Sequence, residues 1–403
     1  MYGYSTSMFL INSFVYSSAP PVDTEFKITV DTTQAGSASD TFVLPLHSGT
    51  TSMTVYWGDG NSDVITAYNQ AELTHVYASS GTYQISCDGS FAGIKFNNTG
   101  DKLKLSSIDN WGTNQFSNMQ YSFYGCSNMV GTYSDNPDTS LVADMIGVFR
   151  NCTSFNSAID FDGSSLLNAS VMFLGATSMN SAIAITNTTL LENCTSMFSQ
   201  MSVFNQPITL DTTSVINMSS MFSGSSVFDS TLTFSDTSNV LNFSSMFYFC
   251  FAYNKSVSFD TSSGTNMSKM FAYCYGFNQS VNFTTTNVLT MQEMFRNCTI
   301  FNQPLLFDTS SCSSFLAMFY LAPQFNQDLS TWNISSLTTA TSMFLNSGFS
   351  TTNYDLLLPA WDAYGTSGVT FHAGTAQYNT GAPATARANM ISRSWTITDG
   401  GAV

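Results

Sequence analysis

The chain has 403 residues and a formal net charge of −16, with 10 basic against 26 acidic residues. Hydrophobic residues make up 43% of the sequence and charged residues only 9%, which is too apolar for a disordered acidic protein. So few scattered basic side chains do not neutralise a phosphate backbone, and nucleic-acid binding is therefore excluded. Because no run approaches the roughly 18 apolar residues of a membrane helix, we also expect no membrane insertion.

Residues 1–22 have an apolar middle and a Ser-Ser-Ala end, which are features of an export signal. No Lys or Arg precedes the apolar stretch, however, and Asn12 and Ser13 interrupt it. We therefore predict an ordered N-terminal arm that is not removed by cleavage.

Residues 23–105 alternate between apolar and polar positions and predict a series of short strands. A Trp-Gly-Asp-Gly turn begins at Trp57 and is followed by His75-Val76-Tyr77 and by Gly81-Thr82-Tyr83. This set resembles the polycystic-kidney-disease-type (PKD) β-sandwich, and the resemblance implies an immunoglobulin-like spacer or contact module. The predicted strands are Phe26–Val30, Phe42–Leu46, Met53–Trp57, Val64–Ile65, Thr82–Cys87 and Ile94–Phe96.

Asp59, Asn61 and Asp63 alternate as they would in a calcium-binding loop. Such a loop needs Gly at its sixth position and Glu at its twelfth, where this chain has Val64 and Gln70. We therefore interpret the three residues as capping a turn, keep a bound cation as the alternative, and predict no metal or other cofactor.

A repeat of 24 to 26 residues runs through the centre of the chain. Each copy has one Phe in the same register, usually preceded by Met, and a second large apolar residue six positions later. A short alternating run and an Asp/Thr/Ser turn follow, so each copy predicts one coil of a solenoid whose core is completed by its neighbours. The register Phe residues are Phe123, Phe149, Phe173, Phe198, Phe222, Phe247, Phe271, Phe295, Phe319 and Phe344.

The repeat motif is Phe-Asn-Gln-x-Val-x-Phe-Asp-Thr-Ser, followed after four residues by Met-Ser-x-Met-Phe-x-x-Cys. Over residues 115–350 it resembles the repeats of BspA-like leucine-rich-repeat surface proteins. The resemblance implies a leucine-rich-repeat-like solenoid and a role in adhesion and recognition.

Five cysteines lie three residues after a register Phe, at a position that Ala occupies in other copies. We interpret this as a small buried site that holds free thiols. Disulfides between adjacent coils, such as Cys250 with Cys274, are the alternative. The five residues are Cys126, Cys152, Cys250, Cys274 and Cys298.

After the last repeat the composition changes, and residues 351–403 predict a small α+β cap for the open end of the solenoid. We expect helices at Asp355–Tyr364 and Ala382–Ser392 and strands at Val369–Phe371 and Trp395–Thr398. The predicted fold is thus mainly β: an arm (1–22), a PKD-like β-sandwich (23–105), a solenoid of about ten coils (106–350) and the cap.

Two consecutive coils depart from the repeat by carrying large rings where the usual residue is Ser or Thr. Stacked coils bring such rings together, and an exposed aromatic patch usually marks a contact site for a glycan or a neighbouring subunit. The alternative is that the coil bulges inward at this point and the rings are part of the core. The candidate binding residues are Tyr248, Phe249, Phe251, Tyr273 and Tyr275.

We predict that the protein is not an enzyme. The three histidines, at 47, 75 and 372, lie in no catalytic motif, and the recurring aspartates, such as Asp211 and Asp308, suit turns. The first hypothesis is a structural or adhesion protein on a bacteriophage virion surface, as a tail fibre, spike or capsid decoration. Its expected partners are other virion proteins, host surface glycans or proteins, and a second copy of the chain. An extracellular adhesin on a bacterial cell surface and a polysaccharide depolymerase are the alternatives.

Overall fold

The computed structural model describes residues 23–403, so the predicted N-terminal arm lies outside the described residues. The chain is mainly β, as predicted, and its largest part is a solenoid of about twelve turns. No helix among residues 23–403 is long and apolar enough to cross a bilayer.

The strands that precede the solenoid are β1 (Phe26–Asp31), β2 (Thr41–Val43), β3 (Thr51–Tyr56), β4 (Ser62–Ile65), β5 (Thr74–Val76), β6 (Thr82–Phe91) and β7 (Leu105–Asn110), with a 3₁₀ turn at Ala71–Leu73.

These strands form a main sheet and a separate pair. The main sheet has the order β4-β3-β6-β1-β7, while β2 and β5 pair antiparallel with each other. Alternation explains the burial: Phe26, Ile28 and Val30 of β1 point into the core, and the intervening residues are half-buried.

The main sheet continues directly into the solenoid. Strand β7 pairs antiparallel with β1 on one side and parallel with β8 (Val130–Gly131), in the first repeat, on the other. Trp111, which follows β7, is buried with its ring 6.0 Å from the rings of both Phe26 and Phe123. The predicted boundary between residues 105 and 106 therefore falls within a shared sheet and a shared core.

His47 is buried at this junction. Its Nε2 donates a hydrogen bond to the carbonyl oxygen of Gln120, at 2.9 Å, and its backbone N–H donates to the carbonyl of Gly93. Burial, assisted by the charge of Lys95, lowers the pKa of His47 to about 4. The imidazole is therefore neutral in the folded protein at neutral pH.

This lowered pKa predicts acid sensitivity. The imidazole of an unfolded chain titrates near pH 6.5, so the unfolded state gains the proton first, and stability is lost as the pH falls from about 6.5 to about 4. We expect His47 to contribute up to about 3 kcal/mol to this loss. His47→Gln, which retains a donor for Gln120, should flatten the dependence of the free energy of unfolding on pH, measured by urea unfolding between pH 7 and 4. An equal pH dependence in the variant would contradict this assignment.

Each turn of the solenoid places its register Phe beneath that of the next turn. The ten rings form one continuous ladder with neighbouring centroids 5.3 to 5.9 Å apart and nearly parallel planes. The second large residue of the repeat forms another ladder beside it, from Phe204 to Phe325, at 5.8 to 6.2 Å. Stacking thus buries side chains that a single coil leaves exposed.

Regular strands are shorter in the solenoid than the alternation predicts. The pairs β9 (Ile159–Asp162) with β10 (Ile183–Thr186) and β11 (Ile208–Leu210) with β12 (Leu232–Phe234) are parallel and in register. Beyond β12 the run at 281–283 makes only the single bridge between Val257 and Val281. Elsewhere the coils are joined by a column of one-residue parallel bridges that includes Asp144, Asn168, Asn193, Asn217, Asn242, Asn266, Thr290, Ser314 and Thr339.

The recurring Asn after the second large residue has a structural role. Its side-chain Oδ1 accepts a hydrogen bond of 2.8 to 3.0 Å from the backbone N–H at the same position of the next coil, and Asp229 does the same in its coil. The Gln that often follows donates to the same oxygen, as Gln303 does to Asn278 at 3.1 Å. This ladder runs without interruption from Asn156 to Ser350 and fixes the register between coils.

The cysteine position is small and buried, and all eight cysteines are free thiols. Four of them donate a hydrogen bond of 3.0 Å to the carbonyl oxygen of the register Phe in the preceding coil, and Ser225 does so in a coil without Cys. Cys194 lies outside this repeat position but is also buried, which raises the pKa of its thiol to about 12. That thiol is therefore protonated and unreactive. The interpretation as free packed thiols is confirmed over the disulfide alternative.

The C-terminal segment continues the solenoid with helices in place of the repeat. Strand β13 (Thr339–Ala340) pairs parallel with β14 (Thr370–His372), which pairs with β15 (Thr396–Thr398). Helix α1 (Thr351–Asp362) follows the last repeat, and α2 (Ala382–Ser392) lies between β14 and β15. Helix α1 begins four residues before the predicted start, because Ser350 caps it by accepting from the N–H of Asn353. These additional turns explain why the solenoid is longer than the ten predicted coils.

Candidate binding surface

Two left-handed residues in every repeat shape the surface beside the Phe ladder. The positions two before and two after each register Phe have φ between 50° and 84° in all ten copies. In this segment backbone N–H groups donate to the next coil, as those of Phe247 and Phe249 do to the carbonyl oxygens of Met270 and Ala272. The later position holds Gly125, Asn151, Gly175, Gln200, Gly224, Phe249, Tyr273, Asn297, Leu321 and Asn346.

Six of these ten residues are Gly or Asn, which tolerate the left-handed conformation. Phe249 and Tyr273 hold bulky rings there, at φ 60° and 64°. Gln200 and Leu321 have the same conformation in other coils, so the left-handed backbone is a property of the repeat. Large aromatic rings at this position occur only in the two coils that the sequence singles out.

All five rings of the predicted patch come together and form what we call the aromatic cluster. Tyr248 and Tyr273 each pack against Phe249, with centroids 4.2 and 4.4 Å apart. Phe251 and Tyr275 stack on each other at 5.1 Å with planes 12° apart. Phe249 is 5.9 Å from Phe251, and Tyr273 is 6.4 Å from Tyr275, so the two groups are continuous.

Phe251 and Tyr275 are the most accessible members of the cluster, with 40% and 41% of their surfaces exposed. The other three rings are half-buried. The same repeat position holds Ser226 in the coil before the pair and Thr299 in the coil after it. The stacked pair is therefore flanked along the solenoid by small hydroxyl side chains, and the inward bulge considered as an alternative does not occur.

Charged residues next to the cluster escaped the sequence prediction. The guanidinium of Arg296 lies between Tyr273 and Tyr320, 5.5 and 5.0 Å from their ring centroids. Its Nη1 donates to Glu293 at 2.8 Å, and Glu293 is also 3.7 Å from Lys269. We call Lys269, Glu293 and Arg296 the charged row. Lys269 and Glu293 each lie two residues before a register Phe, and Arg296 lies one residue after its register Phe, as Tyr248 does. A comparison of these positions between copies would have revealed the row from the sequence.

The electrostatics of the row follow from its packing. Burial of Glu293 would raise the pKa of its carboxyl, but the hydrogen bonds from Arg296 and Gln292 outweigh burial and lower that pKa. Glu293 is therefore ionised at neutral pH. Its side chain is 11% exposed, against 31% for Arg296 and 38% for Lys269, so the two cations are the accessible part of the row.

The other candidates in the sequence have structural partners. Asp59 accepts hydrogen bonds from Asn61 and, at 2.9 Å, from Nε2 of His75, while Asp63 accepts from Nε1 of Trp57 at 2.8 Å. The turn-capping role of Asp59 is thereby confirmed. Within residues 23–403, no three His, Cys, Asp or Glu side chains lie close enough together to hold a metal ion.

The recurring aspartates also cap turns. Each accepts a hydrogen bond of 2.8 to 3.1 Å from the backbone N–H two residues later, as predicted, in Asp211, Asp236, Asp260 and Asp308. Two of them, Asp236 and Asp260, line a cavity of about 280 Å³ between adjacent coils, where β12 and the run at 256–260 do not pair. The cavity has no basic or histidine side chain in its lining.

The solenoid identifies the family. The family described as "Mycoplasma protein of unknown function, DUF285" matches the chain three times, over residues 90–210, 181–282 and 257–361. These matches cover more than half of the chain, from the junction with the main sheet to helix α1. The chain therefore belongs to this family, in agreement with the repeat-protein resemblance. No curated protein and no solved structure gives a significant match.

Exposure of Phe251 and Tyr275 predicts that their replacement spares stability. The double variant Phe251→Ser with Tyr275→Thr restores the residue types of the other coils and should change the free energy of unfolding by less than about 1.5 kcal/mol. Phe247→Ala, which removes a ring of the buried ladder, should cost about 3 to 5 kcal/mol. Urea unfolding of both variants measures the difference. Equal losses would mean that the two exposed rings are part of the core.

Proposed function

We propose that this protein is a non-enzymatic surface protein that makes contacts through the aromatic cluster. The observation that carries the proposal is the accessible stack of Phe251 and Tyr275, continuous with the rings of Phe249 and Tyr273. Monomeric soluble proteins rarely expose such aromatic patches without a contact to make. Flat aromatic rings suit the apolar faces of sugar rings, so a glycan is the first candidate ligand and a neighbouring subunit the second.

The lowered pKa values of three turn aspartates support binding over catalysis. A glycosidase needs one carboxyl group with a raised pKa as its general acid. Hydrogen bonds from Thr213, Ser262 and Ser310 lower the pKa of the carboxyls of Asp211, Asp260 and Asp308 instead. The depolymerase alternative therefore has no candidate acid among these turn residues.

We also propose that residues 23–105 form a PKD-type module that serves as a spacer. The motif residues pack on one another: Trp57 is buried with its ring stacked on His75 at 4.7 Å, and His75 meets the ring of Tyr77 edge-on at 4.6 Å. The hydroxyl of Tyr77 donates to the carbonyl oxygen of Trp57, and its ring stacks on Tyr83 at 3.7 Å. The motif thus forms one aromatic column. Its junction with the solenoid, through β7, suits a rigid spacer.

Contact with a ligand is tested with the double variant Phe251→Ser with Tyr275→Thr. We expect it to lose glycan binding on an oligosaccharide array, or self-association in sedimentation velocity if the partner is a second copy. Leu306→Ser is the matched control, because it removes a side chain exposed by 86% elsewhere on the solenoid and should leave binding unchanged. The proposal would be contradicted if the wild-type chain neither bound glycans nor self-associated. It would also be contradicted if the double variant bound glycans and self-associated as the wild type does.

The proposed setting is the surface of a bacteriophage virion, with a bacterial cell-surface adhesin as the alternative. Peptide mass spectrometry of density-purified particles and of the host envelope fraction from the same culture separates the two. Recovery in constant proportion to known particle proteins is the expected result, and hundreds of copies per particle would indicate a capsid decoration while tens would indicate a fibre. Recovery in the envelope alone would overturn the virion setting and leave the adhesin.

A further inference from the structure

Positive charge in the solenoid is concentrated beside the aromatic cluster. Residues 115–350 contain only four basic residues, and three of them, Lys255, Lys269 and Arg296, fall in three consecutive coils that hold or adjoin the cluster. The fourth is Arg150, four coils before the first of these. Lys255 is paired with Asp229, but Lys269 and Arg296 share only Glu293, so the charged row carries a net charge of +1 on a chain with a net charge of −16.

The charged row leaves one cation without a full counter-charge. Glu293 is shared between Lys269 and Arg296, and Lys255 pairs separately with Asp229 at 3.2 Å. Arg296 donates to Glu293 through Nη1, and its Nε is buried, so a ligand can reach only the two terminal nitrogens. These nitrogens retain N–H donors for a further acceptor. A planar guanidinium binds a carboxylate through two parallel hydrogen bonds.

Tyr273 links this cation to the accessible rings. Its ring lies 5.5 Å from the guanidinium of Arg296 on one side and 6.4 Å from the ring of Tyr275 on the other. Stacking between Tyr273 and Tyr320 holds the guanidinium in place, so little side-chain entropy remains to be lost on binding. An aromatic platform and a fixed cation are thus presented side by side.

We propose that this surface recognises an acidic saccharide, with the sugar ring against Phe251, Tyr273 or Tyr275 and the sugar carboxylate on Arg296. The proposal rests on the proposed function and goes further by specifying the class of glycan. Neutral sugars would use the rings but leave the remaining N–H donors of the guanidinium without an acceptor. The net negative charge of the rest of the chain repels an acidic polymer elsewhere, so binding is confined to this surface.

The test compares paired glycans on one array, each carboxylated oligosaccharide printed beside its neutral counterpart, such as oligogalacturonate beside its methyl ester and sialyllactose beside lactose. Wild-type protein should prefer the carboxylated member of at least one pair by tenfold or more, and the preference should weaken as salt is raised. Arg296→Gln should abolish the preference. Arg150→Gln is the matched control, since Arg150 has the same repeat position and its guanidinium also lies over a tyrosine ring, that of Tyr124, at 4.7 Å.

A second variant separates recognition from structural damage. Glu293→Gln removes the competing carboxylate and should strengthen binding to the acidic glycans about threefold or more, whereas Arg296→Gln weakens it; a merely structural role does not produce opposite effects. Equal binding to both members of every pair, with Arg296→Gln unchanged, would overturn the acidic specificity and leave the aromatic cluster as a glycan site. A blank array for the wild-type chain would overturn glycan recognition itself, and the self-association measurement would then decide whether the cluster is a contact between subunits.

Discussion

Each coil of the solenoid lies in register with the next, so a side chain at one repeat position meets the same position of its neighbours at about one strand spacing. This constraint explains the two ring ladders and the Asn ladder, in which each residue packs on or hydrogen-bonds with the same position of the next coil, and the small cysteine site, whose side chain meets the register Phe of the preceding coil. The hydrogen bonds between coils that run from Asn156 to Ser350 illustrate this constraint. A change at one position in one coil is therefore felt mainly by two neighbours.

The same constraint makes departures from the repeat informative. A large ring in a position that is usually Ser or Thr gains no ladder partner unless the adjacent coil changes with it, as Phe251 and Tyr275 do. Phe249 and Tyr273 depart together as well, and their rings pack on each other at 4.4 Å. Paired departures in adjacent coils thus build a continuous feature that a single substitution does not.

The period of the repeat was enough to predict the Phe ladder, the free thiols and the convergence of the five rings, since all three depend only on which residues share a position. It was not enough to predict hydrogen bonding. The run at 281–283 alternates as a strand does, yet only Val281 makes a bridge, to Val257. The charged row was missed for a different reason: Glu293 is the one acidic residue at its repeat position, Arg296 shares its position only with Arg150, and their significance depends on distances to Tyr273 and Lys269 that the period alone does not supply.

Electrostatics gives the aromatic cluster a specificity that rings alone lack. On a chain so poor in charge, few other charges oppose an exposed cation, and its field extends about 8 Å at physiological salt. The rings of Tyr273 and Tyr320 hold the guanidinium of Arg296 in place before any ligand arrives. A preoriented cation beside a flat apolar surface distinguishes ligands by the relative position of charge and ring, which is the property that separates an acidic sugar from a neutral sugar and from a simple anion.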